Sequence, residues 1–149
     1  MSSFSSGPED QGNIIIKNNI NIGTSICYEI AYSELVRGSA INSNILLTMS
    51  NDSWFGKTIG PKQHFQIARM RAIENRKALI RATNDGISAL IEADGKVSIT
   101  IPSFNRGILE GTLFPRSGST PFTRNGSYPV VILSFLLVFL GCRIKKLSP

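Results

Sequence analysis

Ile20-Asn21-Ile22-Gly23-Thr24-Ser25-Ile26-Cys27-Tyr28-Glu29-Ile30-Ala31 decides the fold class. Its first seven residues are β-rich and run into Cys27-Tyr28-Glu29. The chain changes period there: Ile30 to Arg37 has helical spacing, with Gly38 placed as a stop. Upstream, Ile14-Ile15-Ile16 and the turn Lys17-Asn18-Asn19 predict a strand paired with the first. Downstream, Ile45-Leu46-Leu47-Thr48-Met49 is a continuous apolar run of strand length, which suits a buried strand. Asn51 to Gly60 reads as a loop carrying the only tryptophan, Trp54.

Pro61 then opens the longest helix expected before residue 115, running to about Arg76. Proline at the first helical position costs nothing, because that amide has no intrahelical partner. Phe65, Ala68, Ala72 and Ile73 mark its apolar face, and Arg69, Arg76 and Lys77 mark much of the rest. Ala78 to Thr83 is a further strand. Gly86–Ala93 and Lys96–Ile101 flank Asp94-Gly95, a two-residue hairpin signal. Gly107 to Leu113 is a last strand candidate. Strands alternating with helices, followed by a hairpin, predict an α/β fold in which helices cover the sheet.

Residues 115–127 are rich in Pro, Gly, Ser, Thr and Arg and read as an exposed linker. Tyr128 to Cys142 carries no charge, and Arg143, Lys145 and Lys146 follow at once. Fifteen residues at about 1.5 Å each span roughly 22 Å, short of a hydrocarbon core of about 30 Å. Snorkelling of Arg143 and interfacial seating of Tyr128 cover part of the gap. A buried core helix is the alternative, but it needs no apolar residues on every side, and Ser134 is the only polar break. The expectation is a transmembrane helix over 128–142 and a basic cytoplasmic tail over 143–149, with the domain outside.

The 149 residues are 42% hydrophobic and 17% charged, which excludes a disordered chain. Sixteen Lys and Arg against ten Asp and Glu leave +6. That balance fits nucleic acid, anionic membrane or acidic substrates alike, but the charge is scattered and not interleaved with aromatics, so no nucleic-acid partner is expected. Two cysteines, Cys27 and Cys142, exclude a disulfide scaffold, and a single histidine leaves no expected metal site. Met1 to Asp10 has neither the basic nor the apolar region of a targeting signal and reads as a loop punctuated by Gly7 and Pro8.

Cys27 is the residue with chemical potential. A strand-to-helix turn exposes a side chain at the sheet edge and frees backbone amides for an oxyanion. Its thiolate is a nucleophile if a base or cation lies near, and the alternative is a small buried hydrophobe. His64 is a candidate partner for it or a structural residue at a helix start. Arg69, Arg71 and Arg76 either meet phosphate or form a solvated helix face with Glu74.

Ile26-Cys27-Tyr28-Glu29-Ile30, Asn51-Asp52-Ser53-Trp54-Phe55-Gly56, the run Gly60 to Glu74, Arg81 to Ala89 and Ser119-Thr120-Pro121-Phe122 together resemble the apolipoprotein N-acyltransferases. Met1 to Pro8 resembles an internal segment upstream of the cysteine in that family. These are bacterial inner-membrane enzymes with a domain of the nitrilase, or carbon–nitrogen hydrolase, fold. The resemblance implies a partial α-β-β-α sandwich over residues 1–114. It implies an acyltransferase that moves a fatty acyl group from a phospholipid donor to the α-amino group of an apolipoprotein's lipidated N-terminal Cys, through a thioester, with no cofactor. Cys27 would be the nucleophile, the Tyr28 backbone amide an oxyanion donor and Glu29 a supporting carboxylate. Trp54 and Phe55 would line the substrate entrance. The domain would lie on the periplasmic side, with the C-terminus cytoplasmic. The family's general-base Glu and catalytic Lys have no match, since Lys17 is out of place. The chain therefore reads as a C-terminal portion that a separate N-terminal half would complete. The rival readings are a soluble amidase or nitrilase and a non-catalytic membrane-anchored remnant.

Overall fold

β-Rich segments separated by two helix-forming segments produce one six-stranded sheet in a computed structural model that describes residues 12–16 and 20–147. The N-terminal loop with Gly7 and Pro8, and the Lys17–Asn19 turn, lie outside the described residues. The strands are β1 (Ile14–Ile16), β2 (Ile20–Ile26), β3 (Ile45–Asn51), β4 (Ala78–Asn84), β5 (Ser88–Ile91) and β6 (Val97–Ile101), hydrogen-bonded in sequence order. β1 pairs antiparallel with β2, as the Ile-rich pattern predicts. β2, β3 and β4 are parallel, so each step between them needs a crossover. α1 (Ser33–Ile41) and α2 (Gly60–Asn75) supply the crossovers. β5 and β6 close the sheet as an antiparallel hairpin, whose turn seats Gly95 at φ 83°.

Strand alternation assigns the two faces of the sheet. Leu46, Leu79, Ala89 and Ile91 point to the helices, where they form the core with Ile30, Val36, Ala40, Phe65, Ala68 and Ala72. The next residues along the same strands point the other way, and Ile26 and Met49 are exposed there. Gly111 sits against Leu90 and Ile99, where a Cβ would collide with Leu90 Cδ1. The described residues thus build one sheet and the helices on it, a mixed α/β arrangement; a second sheet of a sandwich is not among them.

Several expectations are corrected. Gly38 does not end the first helix. A 3₁₀ turn over Cys27–Ala31 comes first, and α1 runs through Gly38 to Ile41 because Ala40, fully buried, anchors another turn. Ile73 is exposed. Residues 107–113 form no strand and lie across the hairpin without a ladder. The segment 115–127 contains α3 (Pro121–Asn125), capped by the Thr120 hydroxyl, which accepts from the Thr123 amide. The segment is also gripped: the buried Lys77 Nζ donates to the carbonyls of Arg116 at 3.3 Å and Gly118 at 3.1 Å.

The transmembrane helix expected over 128–142 is present as a helix, α4 (Tyr128–Leu147). No helix among the described residues, however, is long and apolar enough to cross a membrane. The uncharged run itself ends at Cys142. The Arg143 guanidinium folds back over the Phe139 ring, 5.2 Å from its centroid.

Burial holds the Lys77 ammonium below its ordinary pKa of 10.5. Between the lowered value and 10.5 the unfolded chain binds more protons, so stability rises with pH through that window and the gain is complete above it. Urea midpoints of the wild-type chain are expected to climb toward pH 10.5 more steeply than those of Lys77→Met. Parallel curves for the two proteins would exclude Lys77 as the source.

Candidate active site

Cys27 follows the last residue of β2 and adopts φ 55°, a left-handed conformation that a residue with a Cβ adopts at a cost of about 1–2 kcal/mol. Such strain persists only when neighbours hold it. Glu29 is one holder: its Oε2 accepts from the Ile26 amide at 2.6 Å, closing a loop around Cys27. The Tyr32 amide then donates to the Glu29 carbonyl at 3.0 Å, ending the turn. Cys27 itself is half-buried.

Beside this turn lies a buried polar cluster that sequence reasoning missed. Asp52, His64 and Arg81 are each at most 2% exposed. Arg81 Nη2 donates to Asp52 Oδ2 at 2.7 Å, and its Nε donates to the Ile87 carbonyl at 3.1 Å. His64 Nδ1 lies 2.9 Å from Asp52 Oδ1 and 3.1 Å from Arg81 Nη2. The Ser50 hydroxyl also donates to Asp52 Oδ1, at 3.0 Å. Burial alone would raise the Asp52 pKa. The His64 hydrogen bond, the charges of Arg81 and His64, and the Ser50 hydroxyl outweigh it and hold the carboxyl below 3.8. For Arg81, burial pulls downward, while the Asp52 charge and hydrogen bond, and the charge of Cys27, push back. Gly86 is required here, since a Cβ at that position would collide with the Asp52 carboxylate.

His64 touches the Cys27 turn through its ring, 5.8 Å from the Tyr28 ring centroid. Its Nε2 is buried without a hydrogen-bond partner, so it is not bonded to Cys27, and the structural alternative for His64 fits. Phe55 stacks edge-on at 6.0 Å from the same ring, while Trp54 is 88% exposed. The structure thus brings Cys27, Tyr28, Glu29 and, through His64, Phe55 together, and leaves Trp54 facing outward. Among the described residues no group of three His, Cys, Asp or Glu side chains could hold a metal ion.

The signal for the missed cluster was present in β4. Arg81 follows Leu79 at the two-residue spacing of the buried face, and a charge at a core position calls for a partner. Arg71 was missed for a related reason. It reads as part of a solvated helix face, yet it is buried, with Nε donating to the Ile30 carbonyl at 3.0 Å.

The sequence matches the Carbon-nitrogen hydrolase family over residues 2–120. It is 44% identical over 149 residues to an apolipoprotein N-acyltransferase of Pseudomonas syringae pv. tomato, covering 98% of this chain and 29% of that one. It is 46% identical over 133 residues to an apolipoprotein N-acyltransferase of Vibrio cholerae serotype O1, covering 89% and 26%. The chain therefore spans less than a third of the length of these curated relatives. A carbon-nitrogen hydrolase from Helicobacter pylori G27 shares the fold with a TM-score of 0.58 and 22% identity, over 67% of this chain and 42% of that one. An amidase of the nitrilase superfamily from Nesterenkonia AN1 gives 0.51 and 19%, over 65% and 40%.

Removing Asp52 strands a buried guanidinium. Asp52→Ala is expected to cost about 3–5 kcal/mol in urea unfolding at neutral pH, whereas Asp52→Leu combined with Arg81→Met costs less than the sum of the single losses. The depressed Asp52 pKa adds stability that is fully present above 3.8 and lost as pH falls through the folded value, so Asp52→Asn should flatten that acid limb. Additive losses in the double variant would show that the pair is not coupled.

Proposed function

The chain belongs to the carbon–nitrogen hydrolase family, and we propose that it is the cysteine-bearing part of an apolipoprotein N-acyltransferase. The observation that carries the proposal is Cys27 itself, held left-handed at the end of a parallel strand by the Glu29 clasp. The extent of the identity to the relatives named above supports the choice of acyl transfer over hydrolysis.

In the proposed reaction the Cys27 thiolate attacks an ester carbonyl of a phospholipid. The Tyr28 amide donates to the oxyanion, and collapse expels the lysophospholipid alkoxide, which takes a proton. The acyl group is then a thioester on Sγ. The α-amino group of the acceptor's N-terminal Cys attacks that thioester, an amide forms, and the thiol is regenerated. Two displacements at one carbonyl replace a single difficult transfer. The general base and the Lys of the family would come from the part of the enzyme that this chain does not span. Glu29 keeps the turn in shape, and Phe55 and Trp54 line the way in for the acyl chain.

The same proposal places α4 in lipid, with the domain on the periplasmic side of the inner membrane and Arg143, Lys145 and Lys146 on the cytoplasmic side. The apolar residues from Val130 to Leu140 are each 46–72% exposed, so no other part of the described residues covers them. Local thinning and snorkelling would offset the short uncharged run.

Two experiments test this reading. Incubation of the completed enzyme with phospholipid should give a hydroxylamine-sensitive acyl adduct on the Cys27 peptide by mass spectrometry. It should be absent in Cys27→Ala and barely formed in Cys27→Ser, where an unactivated hydroxyl is the weaker nucleophile. An adduct that survives Cys27→Ala sinks the mechanism. The second experiment is carbonate extraction. The wild-type chain should stay with the membranes, and Leu136→Asp with Leu137→Asp should release it, each charge costing about 2.5–3.5 kcal/mol near the bilayer centre. Wild-type protein in the carbonate wash would favour a soluble amidase.

A further inference from the structure

Cys27 sits in a strained turn that one carboxylate clasps from the strand side. The opposite side of the turn, where its last carbonyls emerge, has a separate holder. Those carbonyls belong to Ile30 and Ala31, and a 3₁₀ turn leaves such groups without partners inside the turn. Arg71, in the middle of α2, reaches them from 41 and 40 residues away in sequence. Its Nε donates to the Ile30 carbonyl at 3.0 Å and its Nη2 to the Ala31 carbonyl at 3.4 Å. Its Nη1 pairs with the Glu74 carboxylate one turn further along α2. The planar guanidinium therefore spends both edges at once, one on the Cys27 turn and one on its own helix.

The last turn of α2 is itself tied down. The Asn75 amide caps the Arg71 carbonyl at 3.0 Å. Its Oδ1 accepts from the buried Thr123 hydroxyl of α3 at 3.0 Å, and the Thr120 hydroxyl donates to the Glu74 carbonyl at 2.6 Å. Arg71 thus stands on a support that cannot shift without breaking buried hydrogen bonds. We infer that Arg71 is a positioning residue for Cys27: it grips the carbonyl end of the turn while Glu29 grips the amide end, and the two together hold the nucleophile left-handed. The catalytic meaning of this clamp rests on the reading of Cys27 as the nucleophile.

Arg71 touches neither the thiol nor any reacting atom, so its loss should alter the turn first and the chemistry through it. A hydrogen bond from a charged donor is worth about 1.5–3 kcal/mol, or roughly 10- to 100-fold in an opening equilibrium. The full chain in detergent micelles serves for amide hydrogen exchange read by mass spectrometry. In Arg71→Met, the peptides covering residues 26–36, which include the bonded amides of Ile26 and Tyr32, should exchange at least about tenfold faster than in wild type. The hairpin over 88–101 should not change. Arg71→Lys should recover only part of the protection, because an ammonium cannot fork between two carbonyls and a carboxylate. It also keeps the charge where Arg71→Met fails to fold.

In the enzyme completed with its missing part, Arg71→Met should slow acylation of Cys27 at saturating phospholipid by about tenfold or more, with KM within about twofold. Wild-type protection over 26–36 in the variants overturns the inference. So does an equal rise at the hairpin, which would mean general loosening. Absence of any acyl adduct on wild-type Cys27 fails the nucleophile reading alone, and the exchange comparison still decides whether Arg71 holds the turn.

Discussion

The buried pair of Asp52 and Arg81 is the constraint on which the site side of the molecule is built. A carboxylate and a guanidinium, each about 1% exposed or less, exchange strong hydration for one 2.7 Å hydrogen bond and their mutual field. That exchange holds only if the remaining lone pairs and protons also find partners. The surroundings meet most of that demand, although Arg81 Nη1 and His64 Nε2 are buried without a partner. Ser50 and His64 complete Asp52, and the Ile87 carbonyl takes Arg81 Nε. The cluster thereby fixes the loop after β3 against β4 and against the first turns of α2, and it excludes any side chain at position 86. Because Arg81 and Thr48 are direct neighbours across the sheet, and Thr48 in turn faces Ser25 of β2, the same row of residues reaches to within two positions of Cys27.

Helix α2 transmits this order along its length, and it does so with polar residues on its buried side. His64 serves the charge cluster near its N-terminus, Arg71 serves the Cys27 turn in its middle, and Asn75 with Lys77 serves the segment around α3 at its end. Phe65, Ala68 and Ala72 fill the spaces between with apolar contact. Small alanines let the helix approach the sheet closely, and that approach lets an arginine lie flat and reach backbone carbonyls on a neighbouring element. A core of larger side chains would hold the helix too far out for Arg71 to bridge.

This use of α2 explains what could and could not be read from the sequence. The strands and the Asp94-Gly95 hairpin were legible, because alternation and turn chemistry are local properties. The position of Cys27 at a strand end was legible for the same reason, and Glu29, two residues away, acts within that local frame. Gly38 misled because helix stopping is decided by what the next turn can bury, and Ala40 buries completely. Residues 107–113 misled because their β-like composition serves contact with the hairpin rather than a ladder. Arg71 was illegible, since its backbone partners lie 40 and 41 residues away and a charge beside an apolar stripe normally means solvent; Arg81 announced itself by its core spacing in β4 but not its partner Asp52, 29 residues away.

The exposed apolar surface carries the last step. Large side chains are left uncovered in several regions, and two of these differ in character. On α4 they surround the helix rather than marking one face. At the sheet they include Ile26 beside Cys27 and Met49 on the neighbouring strand, in direct register with each other, and Ile14, Ile15 and Ile16 of the edge strand β1. The Ile26–Met49 pair lies beside the strained Cys27, in a chain that spans under a third of the length of its relatives. The clamp from Glu29 and Arg71 is complete within the chain, whereas the covering of the Ile26–Met49 face is not. The geometry of the Cys27 turn is thus built within the chain, by Glu29 and by the buried arginine of the crossover α2, while the Ile26–Met49 side of β2 and β3 stays open among the described residues.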